Sequence, residues 1–346
     1  MAADVDGLFA TMVAPARPVP IGRALDLARE RYGLEPEVSR LTGERDENFR
    51  LIAPGGAQYV LKIANPAESP AETDFQTAAL LHIETTAPDL PCPRVLRDRM
   101  GGAFARFLDD GGAERTARVL TYLPGKLLGS SSRSQRQRAA CGRIGARLAL
   151  ALRGFEHPAA ERKVVWDLRH TGHMRGLLDE LPRFPFRSPA ASLIERLAAR
   201  IDPELPRLRH QVVHNDLNPL NLLVDPADES RVTGVIDFGD MTRTALIADV
   251  AVAAAELIPP DCTDPAAARD SVVDVASAYH ERMPLLPAEL ALLGALTAAR
   301  LVMTVVIHEW HLARNPASGH YKALTEDFMR ARLDVAARLL LEEFRL

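Results

Sequence analysis

Between Gln211 and Phe238 a β-rich island interrupts a long, mainly helical stretch, and its layout constrains the fold more than any other feature of the chain. Val212-Val213-His214-Asn215-Asp216-Leu217-Asn218-Pro219-Leu220-Asn221-Leu222-Leu223-Val224 reads as an apolar strand, a polar loop and a second apolar strand. Val232 to Ile236 reads as a third strand, and it ends in Asp237-Phe238-Gly239-Asp240. Three polar side chains, Asp216, Asn221 and Asp237, are thereby delivered to one strand-end surface.

Phosphoryl transfer asks little covalent chemistry of a protein. It needs an in-line hydroxyl, a carboxylate to accept the hydroxyl proton, and hard oxygen ligands for the metal that bridges the phosphates. Asp216, Asn221 five residues later, and then Asp237 in an Asp-Phe-Gly supply that set in the order kinases use. Either element alone would read as a local cap or turn. Together they predict a catalytic carboxylate at Asp216 and Mg²⁺ ligands at Asn221 and Asp237.

The chain around the island has 346 residues, 47% hydrophobic and 25% charged, enough for two lobes with separate cores. Its formal net charge of -4 comes with no Lys/Arg run able to track a phosphate backbone, which argues against a nucleic-acid partner. Cys92, Cys141 and Cys262 match no C-x-x-C spacing and read as buried thiols of a reducing compartment. Asp4 and Asp6 precede only a short apolar stretch, and no run of about 18 apolar residues is expected to span a membrane. A cytoplasmic protein is expected.

Residues 1–20, with Pro15, Pro18 and Pro20, read as an arm, followed by a helix over Ile21–Tyr32 that Gly33 ends. From Glu37 to Ile63 short β-branched and aromatic runs predict an antiparallel hairpin, with Tyr59-Val60-Leu61-Lys62-Ile63 as one arm. A helix from about Ala71 to Thr86 follows, then strands near Arg94–Leu96, Ala103–Phe107 and Ala117–Tyr122. Leu123-Pro124-Gly125 breaks both helix and strand, so the lobes are set at 21–123 and 124–346. Amphipathic helices are expected near Gln135–Leu152, Asp167–Leu181 and Ala190–Ile201, and from Leu246 to the end. The class is α+β: a small antiparallel-sheet N-lobe and a mainly helical C-lobe, protein-kinase-like.

The sequence resembles the aminoglycoside phosphotransferase and choline kinase superfamily, and within it the hydroxylysine kinase group. The resemblance is carried by Thr42-Gly43-Glu44-Arg45-Asp46-Glu47-Asn48-Phe49, Tyr59 to Ile63, His214-Asn215-Asp216-Leu217-Asn218 and Gly234 to Thr244. It implies a base at Asp216, metal ligands at Asn221 and Asp237, a phosphate contact at Lys62, and ATP or GTP as donor with Mg²⁺. Asn215 stands where the superfamily usually has Gly, and Asn is the best non-glycine substitute for a left-handed backbone.

Lys62, mid-strand among apolar residues, needs an acidic or polar partner, for which Glu72, Asp74 and Gln76 of the next helix are the candidates. The turn from Gly43 to Asn48 is expected to cover the phosphates, and the backbone of Leu120 to Leu123, with Thr121 and Leu123, to meet the purine edge. For the acceptor, Trp166, Asp240, Arg300 and Glu309 are the candidates. Arg300, inside an apolar helix, requires an anionic partner, either a substrate carboxylate or a structural acid. Asp249 is expected to tie its helix to the catalytic loop. The mixed charges predict a zwitterionic, hydroxylated amino acid such as 5-hydroxylysine. An aminoglycoside or a choline-like amino alcohol stands as the alternative acceptor, and a catalytically inactive nucleotide-binding module as the alternative function.

Overall fold

The computed structural model describes residues 18–43, 45–316 and 323–346, so most of the expected N-terminal arm and Glu44 lie outside the described residues. The chain divides into two compact units. One ends at Pro124 and takes in His157–Ala159; the other comprises Gly125–Glu156 and Ala160–Leu346.

The first unit is a sheet with two helices. Helix α1 (Ile21–Tyr32) ends where Gly33 turns left-handed at φ 68°, and the amides of Gly33 and Leu34 close on Arg29 and Ala28. Strands β1 (Glu37–Leu41), β2 (Glu47–Ile52), β3 (Gln58–Ile63) and β6 (Glu114–Thr121) run antiparallel in that order. The short β4 (Val95–Leu96) and β5 (Ala105–Leu108) both pair with β6. Phe49, Leu51, Leu61, Ile63 and Val119 alternate onto one face and bury it against Leu27 and Ala28 of α1. Helix α2 (Pro70–Thr86) starts on a reciprocal capping box between Ser69 and Glu72, with Pro70 in its first turn.

The second unit is mostly helical: α3 (Gln135–Ala151), α4 (Met174–Asp179), α5 (Arg187–Ile201), α6 (Ile247–Leu257), α7 (Pro265–His280), α8 (Pro287–Arg314) and α9 (Glu326–Leu339). Helices α3 and α7 touch at Gly142, where a Cβ would lie 2.2 Å from the Val275 carbonyl oxygen. Helix α8 is the core axis, packed by α5, α6 and α9. By length and composition it could cross a membrane, contrary to the reading that no such stretch exists, although 89% of its apolar window is buried inside the protein. Two further expectations change. Residues Leu168–His173 form a 3₁₀ segment before the short α4 rather than one long helix, and Cys262 is partly exposed while Cys92 and Cys141 are buried.

The β-rich island forms two small ladders. Strand β8 (His210–Val213) pairs with β11 (Thr242–Ala245), a strand absent from the sequence reading. Strand β9 (Leu222–Val224) lies between β7 (Lys126–Leu127) and β10 (Val232–Val235). The loop 214–221 thus runs from the end of β8 to the start of β9, and Asp237 follows β10.

Candidate active site

The catalytic loop is held from beneath by one carboxylate. Asp249, in the first turn of α6, accepts the backbone N–H groups of His214 at 3.1 Å and Asn215 at 2.6 Å. This is the tie expected of it, and it lets Asn215 occupy φ 64°. Burial pushes the Asp249 carboxyl up from the usual range, opposed by the His214 ring and by those two amides. Removing the carboxylate leaves two buried amides unpaired. Asp249→Ala is therefore expected to cost about 2–6 kcal/mol, since each of the two orphaned donors is worth about 1–3. Urea unfolding measures it, and a loss below about 0.5 kcal/mol would show that the loop does not depend on this anchor.

His214 ties the loop to the strand that ends at Asp237. Its Nδ1 accepts the Asp216 N–H at 3.3 Å, so the proton belongs on Nε2, which donates to the Ile236 carbonyl at 3.1 Å. The ring is fully buried and meets Phe238 edge-on at 4.9 Å; burial lowers its pKa and keeps it neutral.

Asp216 and Asn221 are brought together. The Asn221 amide donates to Asp216 Oδ2 at 2.7 Å and to the Asp216 carbonyl at 3.0 Å, and Asn218 donates to the same Oδ2 at 2.9 Å. With its amide nitrogen spent on Asp216, Asn221 has Oδ1 left to offer a cation. The Ile236 N–H donates to the Asn221 carbonyl at 2.9 Å, extending the β9–β10 register, in which Leu222 faces Val235. Asp237 itself is exposed, adopts φ 59°, and accepts the Gly239 N–H at 3.2 Å. An amide oxygen beside an exposed carboxylate is a donor set that suits a hard divalent cation completed by phosphate and water. Among the described residues no three His, Cys, Asp or Glu side chains form a metal cage.

Arg300 of α8 reaches the same place. Its Nη2 lies 2.9 Å from Asp216 Oδ1, its Nε donates to Glu256 at 2.8 Å, and its guanidinium stacks 4.3 Å from the Trp166 ring centroid. The anionic partners are therefore acids of the chain itself. Burial pushes the Asp216 carboxyl up to about 7, opposed by Arg300 and reinforced by the buried Asp240 nearby.

Glu309 does not join this group. Nine residues from Arg300 on one helix, at about 100° and 1.5 Å per residue, it lies on the opposite face and about 13 Å further along. Of the two acids that could take the amine of a zwitterion held by Arg300, Asp240 and Glu309, that geometry favours Asp240, which lies near Asp216. Glu256, which sequence reasoning missed, is the acid Arg300 selects. Its signal was available: a lone Glu near the end of a helix whose other residues are almost all apolar.

In the sheet unit, Lys62 lies opposite Asn48 in the β2–β3 register, and its described ion pair is with Asp46 at 3.6 Å. Of the expected helix partners, Glu72 caps α2, Asp74 lies 3.2 Å from His157, and Gln76 accepts from Arg118. Asp46 sits on the turn entering the strand next to that of Lys62. Gly43 is required there, since a Cβ would fall 2.3 Å from the Asp46 carbonyl oxygen. Thr121 exchanges hydrogen bonds with Arg94 at 2.9 Å, whereas the Leu123 backbone enters no described hydrogen bond.

An antiparallel-sheet unit and a helical unit, the latter carrying a strand–loop–strand with Asp216 and Asn221 and then the Asp237 turn, define the protein-kinase-like class. Residues 37–286 match the sequence model of the phosphotransferase enzyme family, APH, and the chain belongs to that family. It is a kinase that acts on small molecules. Hydroxylysine kinase of Danio rerio is 26% identical over 312 residues, covering 87% of this chain and 86% of the relative. An aminoglycoside 3'-phosphotransferase of Streptomyces ribosidificus is 33% identical over 228 residues, 64% of this chain and 75% of its own. Among solved structures, the amicoumacin kinase hAmiN in complex with AMP-PNP, Ca²⁺ and Ami superposes with a TM-score of 0.70 at 15% identity, over 97% of this chain and 96% of that one.

Proposed function

We propose that this kinase transfers the γ-phosphoryl group of ATP or GTP to the hydroxyl of a hydroxylated amino acid, with 5-hydroxylysine as the leading acceptor. The observation that carries the chemical part is the pair of bonds from the Asn221 amide to Asp216, which binds a metal-ligand candidate to the candidate base. In the reaction the acceptor oxygen forms a bond to the γ-phosphorus, the bond from that phosphorus to the β–γ bridging oxygen breaks, and the hydroxyl proton passes to Asp216. The products are a phosphomonoester and a nucleoside diphosphate. A Mg²⁺ ion held by Asn221 and Asp237 would neutralise charge on the phosphate oxygens. Lys62 would contact the phosphates on exchanging Asp46 for them, and the unused Leu123 backbone would meet the purine edge.

The acceptor reading is supported by the hydroxylysine kinase relative, which matches along most of both chains, and by the mixed charge around Asp216. An aminoglycoside carries several ammonium groups and would call for a surplus of acids, whereas here Arg300 is built against the base. The Streptomyces relative keeps the aminoglycoside reading as the competitor. A screen of hydroxylated amino acids, amino alcohols and aminoglycosides, each with ATP and GTP, decides between them. The expected result is kcat/KM for 5-hydroxylysine at least about 10² above that for kanamycin, because a site with buried groups matched to one acceptor leaves them unpaired with another. Efficient kanamycin phosphorylation with no response to hydroxylated amino acids would overturn the acceptor and leave the kinase standing.

A further inference from the structure

Three arginines converge on the C-terminal end of α6, and only one of them has been assigned a role. Arg133, on the turn before α3, donates to the Ile258 carbonyl at 2.8 Å, and Arg332 of α9 donates to the same oxygen at 3.1 Å. Two residues earlier, Glu256 takes Arg300. All three guanidinium charges act on Glu256. The carbonyl is shared by two cations, and one half-buried carboxylate faces three.

The donors are not used up. Arg300 Nη1 and Arg332 Nη1 are buried with no hydrogen-bond partner, in side chains that are 3% and 5% exposed. A guanidinium presents five N–H donors, and leaving them unpaired in the interior is costly. If these arginines served only to tie α3, α6 and α9 together, saturated donors would be expected. Arg332 is also held below its ordinary pKa, at about 10, by burial, with the repulsion of Arg133 adding to it. Arg133 is half-buried rather than enclosed, which leaves solvent a way to the group, and it is one of only three described non-glycine residues with positive φ, at 56°; the other two are Asn215 and Asp237.

We infer that Arg133 and Arg332, with the unpartnered edge of Arg300, form the recognition site for the carboxylate of the acceptor. The placement fits the chemistry: Arg300 touches both Glu256 in this cluster and Asp216, so an acceptor whose carboxylate is held here presents its far end, bearing the hydroxyl, near the base. A carboxylate accepts the paired, planar donors that these guanidinium groups offer. The inference rests on the amino-acid acceptor proposed above and deepens it.

The test compares L-lysine with cadaverine, which differs from it only by the carboxylate, as ligands of the full chain saturated with nucleoside diphosphate. Neither carries a hydroxyl, so binding is read by calorimetry without turnover. Wild type is expected to bind lysine at least 10-fold more tightly, and Arg133→Gln and Arg332→Lys to bring the two ligands within about 3-fold, since both variants lose the planar fork. Arg332 is buried and its variant can fail to fold; Arg133→Gln, on a half-buried turn, then decides. Equal binding of the two ligands by wild type, binding of neither, or an unchanged lysine preference in folded Arg133→Gln overturns the inference. Loss of nucleotide affinity in that variant with the lysine preference intact would assign the cluster to phosphate and overturn it equally. The two proposals fail separately: 5-hydroxylysine turnover without a lysine preference removes the carboxylate site alone, and a lysine preference without 5-hydroxylysine turnover removes that acceptor alone.

Discussion

Asp216→Asn is expected to lower turnover by about 10² or more while nucleotide affinity stays within a few-fold. General-base positioning acts in the transition state and contributes little to ground-state binding, so the loss appears in kcat and not in nucleotide affinity. The geometry adds a structural consequence. Asp216 Oδ1 accepts Arg300, and Oδ2 accepts both Asn218 and Asn221. An amide has one oxygen, so Asn at this position must turn its NH₂ toward donors on one side. Arg300 would also keep Glu256 while losing its second anionic partner. The variant should consequently melt earlier than wild type, and single-turnover kinetics on the folded fraction separates the two effects. Near-normal turnover in that fraction would remove Asp216 from the chemistry.

The legible parts of the sequence were those encoded in short, contiguous patterns. Gly33, Ser69-x-x-Glu72 and the apolar runs of β2, β3 and β6 fix local conformation through their own backbone and neighbours, so the helices and the main sheet appear close to where the pattern puts them. The loop 214–221 was legible because its spacing is set by the strands on either side, and the left-handed Asn215 was implied by the resemblance, in which Gly usually stands at that position. Partners far apart in sequence were not legible. Arg300 reaches Glu256 across 44 positions, and Arg133 reaches Ile258 across 125; no periodicity reports which of several acids or carbonyls a buried guanidinium will find. Lys62 illustrates the same limit at short range. The candidates were sought on the next helix, whereas the ion pair described at 3.6 Å is with the turn residue Asp46, which the hairpin brings close. Strand β11 was missed because Thr242 to Ala245 carries little apolar signal of its own and is specified by pairing with β8.

Asp237→Ala should have the other large effect: loss of Mg²⁺-dependent nucleotide binding by about 10² or more, against about 10-fold for Asn221→Ala. The ranking follows from charge, because Asp237 would bring a full negative charge to a divalent ion, whereas Asn221 brings a neutral amide oxygen. The two variants should also differ in kind. Asp237 is exposed and lies after β10 rather than in the loop 214–221, so its removal is expected to leave the bonds among Asp216, Asn218 and Asn221 in place. Asn221 donates to Asp216 at two points, so its removal frees the base as well and should depress kcat even at saturating Mg²⁺. Titrating Mg²⁺ against nucleotide affinity, with kcat measured at the plateau, distinguishes a metal ligand from a metal ligand that also positions the base. Normal Mg²⁺-dependent binding in Asp237→Ala would remove this residue from the metal site. Normal kcat at the plateau in Asn221→Ala would show that Asn218 and Arg300 suffice to hold Asp216.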